Sequence, residues 1–139
     1  MNKYALACLG FLAAPVVLAE NLSGVDEFVC SVSRISLCAE TGECFDVQPW
    51  EIDMPQFVVV DTKRKTIATT RASDEQRSTS IANYHRDGGS IYLQGMEGGR
   101  AFSFVIDEAT GLLTVAVARD GLSVSVFGAC TDADVTAAK

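Results

Sequence analysis

The sequence predicts an all-β domain, an antiparallel meander of eight or nine short strands rolled into a closed or nearly closed small barrel. Three observations carry this expectation. Short runs of alternating polar and apolar residues recur from Gln56 to Cys130, split by glycine-containing turns. No stretch shows a helical period. Four cysteines remain once the apolar leader is set aside, an even number in a small domain.

The leader comes first. MNKYALACLGFLAAPVVLA, residues 1–19, has one lysine, about fifteen mostly apolar residues and small residues up to Ala19, the pattern of a cleaved secretory signal. Gly10 and Pro15 interrupt the run and Glu20 ends it, short of the ~20 unbroken apolar residues a membrane span needs. Cys8 lies too close to Lys3 for a lipidation site and leaves with the leader. The short charged start and alanine-rich stretch are similar to bacterial leaders, so the expected location is periplasmic or secreted, with no membrane span after cleavage. Residues 20–130 then form a single β domain. The last nine, TDADVTAAK (131–139), lack periodicity and are expected as a disordered tail.

Residues 28–38, FVCSVSRISLC, and 44–48, CFDVQ, flank a polar loop, Ala39 to Gly42 and Glu43, and read as a hairpin. Cys38 and Cys44 would face each other across its neck. Zinc knuckles space cysteines two to four apart and need a second pair or histidines, and a thioredoxin-type site needs C-x-x-C, so neither chemistry fits. Cys30 is then left for Cys130, which would bring the first and last strands together. Cys30 and Cys38 are an even number of residues apart, so an unbroken strand would point both to one face; the alternation slips near Arg34, where a bulge would upset that parity.

QPWEIDMP follows, where Pro49 and Pro55 bar a central strand. Trp50 is expected to fold over an open barrel end as a plug; the sharper reading makes it an exposed aromatic anchor for a partner. Seven strands are then expected: 56–61, 65–71, 78–85, 90–95, 100–106, 112–119 and 122–130. Their turns fall at Asp87-Gly88-Gly89, Glu97-Gly98-Gly99, Asp107 to Gly111 and Asp120-Gly121, the last a strong two-residue hairpin signal. Alternation puts Phe102, Phe104 and Ile106 inward, with Leu113, Val115 and Val117, with Leu122, Val124 and Val126, and with Ile91 and Leu93. Phe57 and Val59 join them, Phe28 and Phe45 lie nearer the latch, and side chains this bulky are expected to fill so small a barrel.

Composition limits the function. Removing the leader takes away one lysine and leaves ten basic against 18 acidic groups, and Lys63-Arg64-Lys65 is too short a run to mark a basic surface. Nucleic acid is therefore not an expected partner; a basic protein suits the charge. His85, in NYHRDGG, is the single histidine, and no G-x-S-x-G elbow accompanies it, so catalysis is not expected. Phosphate-loop, zinc and calcium signatures are missing from the sequence, and no cofactor is expected. The layout is similar in outline to small periplasmic inhibitors of lysozymes and proteases and to miniature lipocalin-like barrels. The leading expectation is a non-enzymatic module that binds another macromolecule through loops at one barrel end, with Trp50, Glu51 and Asp53 on one loop and Arg71, Asp74 and Arg77 on the other. The alternatives are a carrier of a small apolar ligand inside the barrel and, behind it, a small hydrolase using His85.

Overall fold

In the computed structural model, residues 21–134 are described. The expected leader and residues 135–139 of the expected tail lie outside them. Ten strands form: β1 (Glu27–Ala39), β2 (Cys44–Val47), β3 (Phe57–Asp61), β4 (Thr66–Thr69), β5 (Ser78–Ser80), β6 (Asn83–Asp87), β7 (Ser90–Glu97), β8 (Arg100–Asp107), β9 (Leu112–Arg119) and β10 (Leu122–Asp132). A short 3-10 turn covers Pro49–Ile52. β10 continues to Asp132, so Thr131 and Asp132 belong to the sheet, paired with Val29 and Phe28, and not to a tail.

All pairings are antiparallel, and the path runs β5-β4-β3-β1-β10-β9-β8-β7-β6 with β2 on the side of β1. β5 and β6, at opposite ends of that path, are separated only by Ile81 and Ala82. The segment that the alternation predicts as one strand over 78–85 is therefore bent, pairing with β4 before the bend and with β7 after it. At the bend Ile81 N donates to Lys65 O and Ala82 N to Gln94 O, each 2.8 Å. One bent strand thus bridges both free edges and nearly closes the barrel.

β1 organises the rest. It pairs with β10 along nearly its whole length, with β3 over its first five residues and with β2 near its end. Ser33 is an extra residue, since Val32 opposes Gly128 while Arg34 opposes Phe127; its hydroxyl donates to Phe127 O at 2.9 Å. This bulge turns Cys30 inward and Cys38 outward. Cys30 and Cys130 are direct cross-strand partners joined by a disulfide, as are Cys38 and Cys44, as the sequence predicts.

The core contains Phe28, Ile35, Val60, Ile67, Ile91, Leu93, Ile106, Leu113, Val115 and Val126. β3 has the opposite parity to that expected: Val58 and Val60 face in, whereas Phe57 is 49% exposed. Its pairing with β1 places Val60 beside buried Phe28 and Phe57 beside Ser31, and this neighbour fixes the phase where a run of three valines cannot. Phe45 opposes Leu37 at the barrel rim and is 54% exposed.

The two barrel ends differ. At one, residues 21–26 cross the opening with Leu22 fully buried. Arg86 ties this segment down: Nη2 donates to Val25 O (2.7 Å), Nη1 to Leu22 O (3.3 Å) and Nε to the Tyr84 hydroxyl (3.0 Å), while Glu108 Oε1 is 2.9 Å from Nη1. Lys63 Nζ pairs with Asp26 Oδ2 at 2.7 Å on the same end. The other end, bounded by the β7–β8 and β9–β10 turns, is the mouth.

Candidate functional site

The mouth opens into a cavity of about 120 Å³. Val58, Ile67, Phe102, Phe104, Leu113, Val115, Val117 and Val126 form its apolar wall, and Met54, Pro55, Asp53, Arg77, Glu97 and Arg100 stand at its entrance. The interior is therefore not filled, contrary to the expectation from bulky inward residues. The reason lies at Gly95, an inward position opposite Phe102. A Cβ there would come within 2.5 Å of Phe102 Cζ and 2.9 Å of Ser80 O, so the ring occupies the space the glycine leaves beside the wall. Phe104 meets Phe102 edge to face, centroids 5.6 Å apart. The Phe102 ring thus lies against the wall with Phe104 beside it, and both line the cavity.

Arg77 builds one side of the rim. Its side chain is only 20% exposed, and Nη1 donates to Asp53 O at 3.0 Å while lying 3.5 Å from Asp53 Oδ2. Nη2 donates to Glu97 Oε1 at 3.3 Å, and Glu75 Oε2 is 3.9 Å from Nη1. One guanidinium, with five donors in a fixed fork, thus joins the loop after the 3-10 turn, the loop before β5 and the β7–β8 turn. Asp53 is shaped for this by a left-handed backbone, φ 53°.

Of the six residues expected to contact a partner, Asp53 and Arg77 meet at this rim. Trp50 is 74% exposed on the 3-10 turn, so it is no plug; Pro49, its neighbour, is the buried member. Glu51 has a local task, its Oε2 accepting from Gln48 N at 2.6 Å to secure the start of the turn. Arg71 and Asp74 are exposed on the loop before β5. His85 is exposed on β6 opposite Tyr92, away from the cavity. Among the described residues, no group of three or more His, Cys, Asp or Glu side chains is placed to hold a metal ion.

Glu97 and Arg100 were not among the expected contacts, yet the pattern contains them. Arg100 is in phase with Phe102, Phe104 and Ile106, and Glu97 with Ile91 and Leu93, so the period that assigns the core also turns both toward the mouth.

Two carboxylates away from the mouth are perturbed. The Thr110 hydroxyl, donating to Asp107 Oδ1 at 2.7 Å, and the Thr110 N–H at 2.8 Å hold the Asp107 carboxyl below its ordinary range. The hydrogen bond from Lys63 does the same for Asp26, and Asp26 in turn raises Lys63.

The chain is thus an antiparallel, nearly closed β-barrel with two disulfides, one sealed end and an apolar cavity at the other. No family model matches it, and a search of curated proteins finds no match. Among the described residues no helix is long and apolar enough to cross a membrane.

Proposed function

We propose that this protein is a binding protein that works outside the cytoplasm and takes a small apolar group into the barrel through its mouth. The observation that carries the reading is the cavity: about 120 Å³, walled by aliphatic and aromatic side chains and opening between charged residues. An engineered cavity of about 150 Å³ with a similar lining stays dry and holds benzene, so the space suits a ring or a short alkyl chain and excludes a long lipid. The disulfides fit an oxidising compartment.

Methyl-resolved NMR of the disulfide-bonded protein tests this. Benzene, and hexanol as an alkyl probe, are expected to shift the methyl signals of Val58, Ile67 and Val117, and Val117→Phe, which fills the space, is expected to abolish the shifts. Unchanged spectra at saturating benzene and hexanol would rule the reading out.

A second reading, that the same end grips a macromolecule, is favoured by Trp50, whose 74% exposure leaves a large aromatic surface beside the mouth loops. Such a partner would present an apolar side chain to the cavity and rest on the tryptophan. Trp50→Ala would then weaken capture of the partner while changing stability by less than about 0.5 kcal/mol.

A further inference from the structure

We infer that the group entering the mouth is the apolar part of an acid, whose carboxylate is held by Arg100. The inference deepens the proposed binding of an apolar group and rests on it. Four charged side chains stand at the entrance: Asp53, Arg77, Glu97 and Arg100. Three of them contact one another, because Arg77 lies within 3.5 Å of both carboxylates, with Glu75 outside the entrance at 3.9 Å. Arg100 is left over. It sits opposite Glu97 in the β7–β8 hairpin, yet among the described residues no hydrogen bond or ion pair engages it. Its guanidinium lies over the turn at Gly98, on the inward face of β8, one alternation above Phe102.

A half-buried guanidinium beside an apolar wall has donors to offer, and among the described residues no protein acceptor receives them. The ligand that completes it carries its acceptors at one end and its apolar body at the other. A carboxylate is the best match, since a planar fork of N–H donors meets it with two parallel hydrogen bonds. A cation would bring another positive charge to Arg100, the residue left open at the entrance, because the carboxylates of Asp53, Glu97 and Glu75 are turned toward Arg77. The cavity limits the body to a phenyl ring or a chain of about five carbons. A free short-chain or aromatic acid meets this description, and so does the C-terminal phenylalanine or leucine of a polypeptide.

Calorimetric titration of the disulfide-bonded protein with hexanoate, hexanol and hexylamine separates the possibilities. Hexanoate is expected to bind about tenfold more tightly than hexanol, the value of one charge-assisted contact, and hexylamine more weakly than either. In Arg100→Gln the tenfold preference is expected to collapse to about one, and in Arg100→Lys, which keeps the charge, part of it is expected to survive. The tripeptide Gly-Gly-Phe and its C-terminal amide distinguish the sources: stronger binding of the free tripeptide than of hexanoate points to a polypeptide end, and the reverse to a small acid. Equal binding of hexanoate and hexanol, or an undiminished preference in Arg100→Gln, overturns the role of Arg100 while leaving the apolar site standing. If none of the three six-carbon probes binds, the apolar site falls and the inference with it.

Discussion

Gly128 shows how tightly single positions are set in this barrel. It faces in from β10 beside the bulge of β1, and a Cβ there would collide with the Ser31 carbonyl oxygen and crowd Val32 Cα at 3.4 Å. Both obstacles are backbone held in a ladder and neither can swing aside. Gly128→Ala is therefore expected to destabilise by about 1–3 kcal/mol, the usual range for overpacking, read as a fall in denaturant midpoint with both disulfides intact. Asp107 makes a different prediction, one of pH. Its folded carboxyl titrates below the unfolded value of about 3.9, so its contribution is present above that pH and is lost as pH falls through the lower folded value. Asp107→Ala is expected to lower the urea midpoint at pH 7, and the difference from the parent is expected to shrink as the pH falls below about 3.9.

Among the elements, β1 and the bent β5–β6 segment decide the architecture, and they mark where the sequence was legible and where it was not. The disulfide partners, the turns from Asp87 to Gly121 and the inward faces of β8, β9 and β10 follow from spacing, glycine placement and strict alternation. The slip near Arg34 is visible too, and the bulge at Ser33 is its cause. Two things were hidden. The phase of Phe57-Val58-Val59-Val60 depends on Phe28, a neighbour far away in the chain, and the bend at Ile81-Ala82 carries no glycine or proline to mark it. At the site, Asp53 and Arg77 were within reach because both lie on polar loops between strands. The cavity was not, because its existence depends on where the Phe102 ring leans, and Gly95, the residue that allows it, reads from sequence only as the end of a strand. The Cys38–Cys44 bond belongs to this scale as well. Its residues are only 6 apart, so the chain-entropy relation gives it about 2 kcal/mol.

Across the whole molecule the other disulfide matters more. Cys30 and Cys130 are 100 residues apart and join the first long strand to the last, for which the same relation gives about 4.7 kcal/mol. The Cys30→Ala/Cys130→Ala variant is accordingly expected to lose about twice the stability lost by Cys38→Ala/Cys44→Ala in paired urea titrations. The sealed end also has a geometric consequence. Leu22 lies beside Glu108 there, and the last residues of β10 pair with Phe28 at the same end, so the described residues begin and end on the side away from the mouth. A surface, a reporter or another domain joined directly at Asn21 or Asp134 would hold the barrel by its base, with the opening pointing outward like that of a cup set on a table.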